Sequence, residues 1–563
     1  MRVIVLFLSA MLSLSIQANP ANYDVVPMPQ QVVLQQGEPF VLNNDVQILA
    51  VEGLQQEAAF LQAYLQEQTG LSLTVSQKRE KKVCYIELAL SPKVQSAEGY
   101  VLTVSKKGVT ITGRAAAGVF YGIQTIRKAL ADVQLPPSNV QRPTSNVQSL
   151  PAVTITDAPR FSYRGMHLDC SRHFFSVAFV KKYIDLLAMH NMNVFHWHLT
   201  DDQGWRLEIK RWPKLTTVGA QRTGTIIGTN SDLDDHTPYG GYYTQEEARD
   251  IVAYAKARHI TVVPEIDMPG HMLAALASYP ELGCTGGPYQ VGHYWGVYKD
   301  VLCVANERVY QFVTDVLTEV MDIFPSEVIH IGGDETPTDK WQACPKCQAL
   351  NAHLSPLTPH PSPSGEEFSP LTSKLSPLQA HFTKRVFDFL TAHHRRAMGW
   401  DEILDGSPQD AMIMSWRGSE PGAKAAALGH DVVMTPTTHC YFDYQQAEDS
   451  QFEPSRCGGF IPVEKVYSLN PVADSLSAEA QAHILGVQAN LWTEYVTNEE
   501  MAEYQALPRL SALAEVQWTQ PERKDYAAFL QRLTRLTQLF ERKGYVYAKH
   551  LWPERQIPNR WQF

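Results

Sequence analysis

The strongest constraint on the fold is a regular alternation of two hydrophobic patterns, which begins near residue 160 and continues to about residue 490. Short apolar runs of strand-like length alternate with longer segments whose apolar residues recur at helical spacing. The eight runs are 163–169, 193–199, 261–267, 328–334, 397–402, 412–416, 431–435 and 484–491, and helical patterns between them include 178–190, 244–258, 307–323 and 380–393. Such a repeat predicts an α/β protein with a parallel (β/α)8 barrel. A doubly wound open sheet is the alternative, but no G-x-G-x-x-G loop follows a strand.

A smaller α+β domain with a linker is predicted at 20–150, ahead of a barrel domain at 159–563. Strands at 85–90, 101–104 and 109–113 and helices at 54–68 and 115–130 indicate the α+β domain. Four prolines mark the linker at 132–152, and alternating prolines mark a low-complexity surface insertion at 354–378. Helices at 497–518 and 526–543 are expected to complete the barrel domain.

Residues 1–18 have the features of a signal peptide. Arg2 precedes an apolar run at 3–16, and Ala18 suits a cleavage site. The run is too short to span a bilayer, which takes about 20 residues. We therefore expect an exported chain, periplasmic or secreted, with no membrane attachment after cleavage; the alternative is an uncleaved membrane anchor. Its 48 basic and 59 acidic residues give a net charge of −11, which argues against a nucleic-acid partner. The oligomeric state is open.

Eight cysteines are too few for a disulfide scaffold in a chain of 563 residues. Cys284 and Cys303, which bracket a glycine-rich loop, are the best candidates for one disulfide in an exported protein. Cys344 and Cys347 are either a second pair or a weak metal site. Zinc is not expected there, because no second Cys-x-x-Cys completes a tetrahedral ligand set.

Polar and aromatic residues follow almost every predicted barrel strand. In a (β/α)8 barrel these carboxyl ends meet at one face, where active sites lie. Carboxylates and arginine bind sugar hydroxyls, and aromatic rings cover the apolar faces of a sugar. The residues that lead to this interpretation are Arg172, Asp201, His271, Asp334, Glu335, Trp400, Trp416, Tyr441, Asp443, Trp492 and Glu494.

The adjacent acids Asp334 and Glu335 are the central feature. They end an apolar strand after Gly332 and Gly333, where the chain leaves the sheet and both side chains can face a pocket. An acid held in an apolar pocket has a raised pKa and can donate a proton at neutral pH. We therefore expect the two pKa values to differ and to divide the roles of acid and anion.

At these residues the chain resembles the family 20 glycoside hydrolases, the β-N-acetylhexosaminidases. The most specific motif is His-Ile-Gly-Gly-Asp-Glu at 330–335, and further motifs occur in order at 164–174, 193–202, 264–271 and 400–402. The resemblance spans about 20–540. It implies an exo-acting hydrolase that removes terminal β-linked N-acetylglucosamine or N-acetylgalactosamine, in which the 2-acetamido oxygen of the substrate is the nucleophile. Chitin fragments, glycans and glycolipids are not distinguished.

The resemblance also implies a role for each candidate residue. Glu335 is the general acid and then the base, Asp334 holds the acetamido N–H, and Tyr441 donates to the acetamido oxygen. Trp400, Trp416 and Trp492 wall the pocket, while Arg172, Asp443 and Glu494 bind hydroxyls. Asp201 and His271 support the acid.

Other interpretations remain open at this stage. His196 and His198 are suitably spaced to bind a metal, although hydrogen bonding is the favoured interpretation, and we predict neither metal nor cofactor. Asp401 and Glu402 are not assigned to the site, since they can simply be ion-paired. For the whole chain, the alternatives are a non-catalytic sugar-binding protein on the same barrel and a metal-dependent hydrolase.

Overall fold

The structure, a computed structural model, describes residues 20–80, 83–131, 148–228, 231–354, 376–449, 453–454 and 457–555. These residues form two compact units. One contains residues 20–25 and 31–157, and the other contains residues 26–30 and 158–555.

The second unit contains a closed barrel of eight parallel strands, as predicted. The first strand pairs with the second on one side and with the eighth on the other, where Tyr163 lies opposite Gly486. The strands are Tyr163–Asp169, Val194–His198, Thr261–Glu265, Val328–His330, Arg396–Trp400, Met412–Ser415, Val432–Met434 and Ile484–Ala489. All eight lie at the predicted runs, and several end earlier, so that their polar terminal residues belong to loops.

Amphipathic helices surround the barrel. Five lie at predicted positions, namely Val177–Met189, Gln245–Lys256, Glu307–Ile323, Pro377–Ala392 and Tyr526–Lys543. The helix Glu420–Ala427 was not predicted. The single helix predicted at 497–518 is wrong. Two helices occur instead, Glu499–Ala506 and Arg509–Trp518, because Pro508 has no N–H and disfavours a helical residue before it.

A cluster of buried apolar side chains, drawn from six of the eight strands, fills the inside of the barrel. It includes Tyr163, Val194, Val263, Met398 and Val433. The barrel is therefore a packed core rather than a pore, as is usual for this fold. Polar groups lie beyond this apolar cluster, toward the ends of the strands.

The first unit has a seven-stranded mixed sheet with two helices, Gln55–Thr69 and Ala116–Ala129. In spatial order the strands are Gln31–Leu34, Val153–Asp157, Tyr100–Ser105, Gly108–Gly113, Tyr85–Leu90, Gln47–Ala50 and Thr74–Ser76. The end of the predicted linker is not a linker. Residues Gln148–Leu150 form a strand that pairs with Phe40–Leu42, which satisfies the backbone groups of both segments.

Several predicted segments lie outside the described residues, namely the signal peptide at 1–18, residues 132–147 of the linker and 355–375 of the insertion. The last three residues of the predicted insertion belong to a helix start. Ser376 caps the helix by accepting a hydrogen bond from the backbone N–H of Gln379, and Pro377 occupies its first position. Across the parts of the chain that are described, no helix combines the length and hydropathy needed to cross a membrane.

The expected disulfide between Cys284 and Cys303 is absent. All eight cysteines lie in described regions, and each has a free thiol. The reason is local geometry, since the Cys303 sulfur lies 3.6 Å from Cys347 and 4.0 Å from Cys344. Four cysteines therefore form one cluster rather than two separate pairs.

Candidate active site

A cavity of about 180 Å³ opens at the carboxyl ends of the barrel strands. Nine of the eleven predicted site residues line it, and the other two, Asp201 and His271, lie directly behind it. The nine are Arg172, Asp334, Glu335, Trp400, Trp416, Tyr441, Asp443, Trp492 and Glu494. Residues that follow six different strands therefore converge on one small space, as the barrel topology requires.

The turn that carries the acid pair depends on two glycines. Gly332 and Gly333 have φ of +66° and +95°, values that favour glycine. A Cβ at Gly332 would lie 1.7 Å from Oδ1 of Asp267, and one at Gly333 would lie 2.5 Å from Ile403. Asp267 holds the turn, because its Oδ1 accepts a hydrogen bond of 3.1 Å from the N–H of Gly333.

Asp334 and Glu335 differ in exposure and therefore in pKa. The Asp334 side chain is 15% exposed, and burial is the main reason that its pKa is raised to about 6, with the Glu335 charge adding to the effect. The Glu335 side chain is 43% exposed, and the neighbouring His271 lowers its pKa. The two pKa values differ, as expected. In the open cavity, however, Asp334 has the higher pKa, whereas a general acid at Glu335 requires the higher pKa to be that of Glu335.

His271 connects the acid pair to two buried carboxylates. Its Nε2 lies 3.6 Å from Glu335 and 3.9 Å from Asp334, while its Nδ1 hydrogen-bonds to Asp201 at 3.1 Å. Burial works to lower the pKa of His271, but the charge of Asp201 outweighs it and holds the pKa well above the usual value. A protonated imidazole therefore lies beside Glu335.

Arg172 is fixed by three carboxylates. Its guanidinium lies 2.9 Å from Asp201, 3.2 Å from Asp169 and 3.8 Å from Glu494. The guanidinium carbon also lies 5.2 Å from the centre of the Trp492 ring. A buried cation held in this way presents its donors in one orientation, which suits recognition of hydroxyl groups.

Tryptophan and tyrosine rings form the walls of the cavity. Trp400 lies 5.7 Å from Trp492, and Trp416 is stacked with Tyr441 at 6.2 Å between ring centroids. Apolar ring surfaces of this kind match the C–H faces of a sugar ring and exclude water from it.

Asp401 and Glu402 position one of these walls, although the sequence analysis did not assign them to the site. Asp401 pairs with Arg417 and accepts a hydrogen bond of 2.8 Å from the backbone N–H of Trp416. Glu402 accepts a hydrogen bond of 2.9 Å from the Trp416 indole, and burial raises the pKa of Glu402 to about 8. The ion-paired interpretation is confirmed for both acids, since Arg417 also lies 3.7 Å from Glu402, and both acids in addition hold Trp416.

Two buried oxygens in the cavity have no partner among the described residues. They are Oδ1 of Asp334 and Oδ1 of Asp443. Burial of an acceptor without a hydrogen bond costs roughly 1–3 kcal/mol. Both oxygens are therefore available to accept a hydrogen bond from a bound molecule, and the N–H and hydroxyl groups of an amino sugar are suitable donors.

Glu265 is a site-forming residue to which the sequence analysis gave no role. Its fully buried carboxylate accepts hydrogen bonds from the Trp400 indole at 2.9 Å and from His198 at 2.7 Å. Nitrogens of His196 and His330 lie 3.1 and 3.0 Å from it. Its place in the motif Pro-Glu-Ile-Asp at 264–267 could have marked Glu265 as a site residue. The sequence does not show which side chains contact its carboxylate. His196 and His198 thus contact a buried carboxylate, the interaction favoured for them.

A second cavity, of about 400 Å³, shares Glu335 with the first. Glu335 lines both, and the second is also lined by Thr336, Pro337, Gln379 and Glu402. Glu335 therefore lies where the smaller cavity, which we call the inner cavity, meets the larger one, which we call the outer cavity.

A (β/α)8 barrel with an aromatic-walled cavity and two adjacent carboxylates at its strand ends is the architecture of a glycoside hydrolase. Family models agree, since residues 161–521 match the glycosyl hydrolase family 20 catalytic domain and residues 22–158 match domain 2 of that family. The chain belongs to glycosyl hydrolase family 20.

Curated relatives include a beta-hexosaminidase of Porphyromonas gingivalis, 40% identical over 93% of this chain and 64% of the relative, so this chain spans about two thirds of the length of that protein. A beta-hexosaminidase of Vibrio furnissii is 34% identical over 88% of this chain and 76% of the relative. Among solved structures, the exo beta-N-acetylglucosaminidase of Vibrio harveyi in complex with N-acetylglucosamine has a TM-score of 0.80 at 32% identity, covering 95% of this chain and 80% of that one. The beta-N-acetylhexosaminidase of Streptomyces coelicolor has a TM-score of 0.77 at 31% identity, covering 97% of this chain and 100% of that one.

Proposed function

We propose that the chain is an exo-acting, retaining β-N-acetylhexosaminidase. It removes terminal β-linked N-acetylglucosamine or N-acetylgalactosamine from oligosaccharides, chitin fragments among them. The observation that carries this proposal is the pair Asp334 and Glu335 in a cavity of about 180 Å³, smaller than the roughly 300 Å³ or more of pockets for drug-sized ligands. A space of this size takes one sugar residue.

The reaction uses the substrate's own amide. The 2-acetamido oxygen attacks the anomeric carbon, the glycosidic bond breaks, and Glu335 gives its proton to the leaving oxygen. Glu335 then accepts a proton from water, which attacks the same carbon, reopens the oxazolinium ring and restores the original configuration. The nucleophile is already part of the substrate, so proximity is supplied without an enzyme nucleophile.

Each residue has a place in this reaction that its surroundings support. The unpartnered Oδ1 of Asp334 accepts the acetamido N–H and stabilises the positive charge that develops on the amide. Tyr441 donates to the acetamido oxygen, while Arg172, Asp443 and Glu494 bind hydroxyls. Glu335, between the two cavities, faces the bond between the terminal sugar in the inner cavity and the leaving group in the outer one.

Substrate binding resolves the unexpected pKa order. In the open cavity Glu335 is exposed beside His271, which lowers its pKa. A sugar seated in the inner cavity and a leaving group in the outer one remove water from Glu335, and loss of water raises the pKa of a carboxyl group. The N–H of the acetamido group at the same time stabilises the charged form of Asp334.

A panel of aryl glycosides tests the proposal. Aryl β-N-acetylglucosaminide and β-N-acetylgalactosaminide should be cleaved, while the matching β-glucoside should be cleaved at least about 10³-fold more slowly, because it lacks the nucleophile. Glu335→Gln should lower kcat by roughly 10²–10⁴-fold and leave the melting temperature nearly unchanged. Equal rates with and without the acetamido group would refute the mechanism. Tight binding of N-acetylglucosamine without any hydrolysis would favour a sugar-binding protein instead.

We propose further that the chain is exported, to the periplasm or the medium, and that residues 1–18 are removed. The basic residue, apolar run and small cleavage residue of this segment support the proposal. The mass of the mature chain should correspond to a start at Asn19. An intact N-terminus on protein recovered from the cytoplasm would contradict it.

A further inference from the structure

Four cysteine sulfurs from distant parts of the chain meet at one point away from the acid pair. Cys284 and Cys303 come from the segment after the third barrel strand, and Cys344 and Cys347 come from the segment after the fourth. All four sulfurs lie within 4.8 Å of one another. Three of the separations are 3.6 Å for Cys303–Cys347, 3.9 Å for Cys284–Cys347 and 4.0 Å for Cys303–Cys344.

These separations match the edges of a tetrahedron around a metal ion. A zinc–thiolate bond of about 2.3 Å places the four sulfurs of a tetrahedral site about 3.8 Å apart. A disulfide needs a separation of about 2.05 Å. The cluster thus has the spacing of a coordination site. Such a site does not require two Cys-x-x-Cys motifs, and in this chain only Cys344 and Cys347 form one.

The surroundings are those of a closed structural site. Cys303, Cys344 and Cys347 are buried and Cys284 is half-buried, so the four sulfurs leave no open position for a reacting molecule. The backbone of Ala305 hydrogen-bonds to the sulfurs of Cys303 and Cys347. Backbone N–H donors of this kind stabilise thiolates around a metal.

We propose that Cys284, Cys303, Cys344 and Cys347 bind one structural zinc ion. Tetrahedral coordination by four thiolates is selective for zinc over the hard cations magnesium and calcium, which prefer oxygen ligands. The proposal concerns a site separate from the reaction, so it stands whether or not the proposed function is correct.

Such an ion would join the two loops that carry the acid pair and its supporting histidine. Leu302, next to Cys303, donates its N–H to the carbonyl of Pro269, two residues before His271. The Trp341 indole donates to the carbonyl of Leu302 at 2.9 Å, and Trp341 lies in the helix Asp339–Ala343, shortly after Glu335. The zinc ion would fix the geometry of both loops from outside the cavity.

The test begins with metal analysis of the full-length chain, expressed without a histidine tag. Inductively coupled plasma mass spectrometry should find one zinc per chain. When a mercurial reagent blocks the thiols, zinc should be released in proportion to the number of thiols blocked. The double variant Cys344→Ser, Cys347→Ser should lose the zinc and melt at least roughly 5 °C lower. Cys84→Ser, which changes an exposed cysteine outside the cluster, should keep both the zinc and the melting temperature.

A second measurement covers the case in which the double variant does not fold. Exchange of the wild-type ion for cobalt should give the intense thiolate-to-metal absorption and visible bands of a tetrahedral Co²⁺ site. Metal-free wild-type protein whose mass is lower by two hydrogens per disulfide would overturn the proposal, as would iron in place of zinc. Neither result would affect the activity on N-acetylated aryl glycosides, so failure of this inference is distinguishable from failure of the proposed function.

Discussion

Glu335 occupies an unusual backbone position for a charged residue, with φ of +43°, and only Asp334 separates it from two glycines that also have positive φ. Most side chains disfavour this region, and a functional role commonly accounts for the cost. The result is that neighbouring residues point into one cavity, although on a regular strand they would face opposite sides. Asp334 lies inside, Glu335 lies at the rim, and their different exposure separates their pKa values.

The pH dependence of kcat/KM follows from this pair. The proposed reaction needs one proton on Glu335 and one charge on Asp334, so the active form of the free protein is the form that carries a single proton. In the open cavity that last proton is lost around the raised pKa of Asp334, about 6. We expect kcat/KM to fall about tenfold per pH unit above this value. A profile for an N-acetylglucosaminide that stays flat from pH 6 to pH 8 would contradict the assignment.

The sequence predicted the positions of these residues better than their electrostatics. Strand-end placement and motif order located nine of the residues that line the cavity, but not Tyr444 and Cys457. The pKa order could not be read from them, because the exposure of Glu335 and the position of His271 depend on loops folded in three dimensions. For the same reason Asp401 and Glu402 were left unassigned, although both hold Trp416.

At the scale of the element, the fourth barrel strand is only three residues long, Val328–His330, and the turn after it carries the site. Two glycines make that turn possible, and Asp267 from the third strand's loop ties it down. In this arrangement the short strands build the packed core, and the turns that follow them carry the residues of the candidate active site.

Gly332→Ala should therefore destabilise the fold and abolish activity. The left-handed conformation alone costs roughly 1–2 kcal/mol, and the new Cβ would also lie 1.7 Å from Asp267. Gly544→Ala is a matched control, since Gly544 has φ of +68° with nothing within 4 Å of its Cβ position. Chemical denaturation should show the conformational cost alone for Gly544→Ala and a clearly larger loss for Gly332→Ala. If both variants lost the same free energy of unfolding, the new Cβ would be accommodated beside Asp267 without cost, which would contradict this prediction.

At the scale of the whole molecule, Glu265 joins the barrel across its interior. From the third strand its carboxylate contacts His198 of the second strand, His330 of the fourth and Trp400 of the fifth. Burial works to raise the pKa of Glu265, but the imidazoles of His330 and its neighbours outweigh it and hold the pKa well below the usual range. An ionised carboxylate thus lies within the barrel, at the base of the cavity's Trp400 wall.

Removal of this charge should destabilise the barrel as a unit. Glu265→Gln keeps the shape but leaves buried donors without their anion, a loss of roughly 3–5 kcal/mol. Glu246→Gln, on a side chain that is 74% exposed, should leave the free energy of unfolding close to the wild-type value. The free energy of unfolding from denaturant titration separates the two, and a wild-type value for Glu265→Gln would show that the carboxylate is not needed.

The architecture was predictable from the sequence because repeated strands and helices have few ways to bury their apolar faces. All eight barrel strands and the helix at 307–323 were located from hydrophobic period alone. Long-range side-chain contacts were not predictable. The carboxylate of Glu265 meets groups from three other strands, and the sulfurs of Cys284 and Cys347 come together across 63 residues of chain. Local spacing favoured a disulfide between Cys284 and Cys303, and only the folded loops reveal the cluster of four.

The inner cavity has room for a single terminal unit, and this has a consequence for polymeric substrates. If the proposed function is correct, the protein acts only on the tips of a polymer and never on its middle. The rate on an insoluble polysaccharide should then follow the number of free non-reducing ends and not the mass of material. A partner that cuts such a polymer internally would multiply the yield of monomer simply by creating new ends.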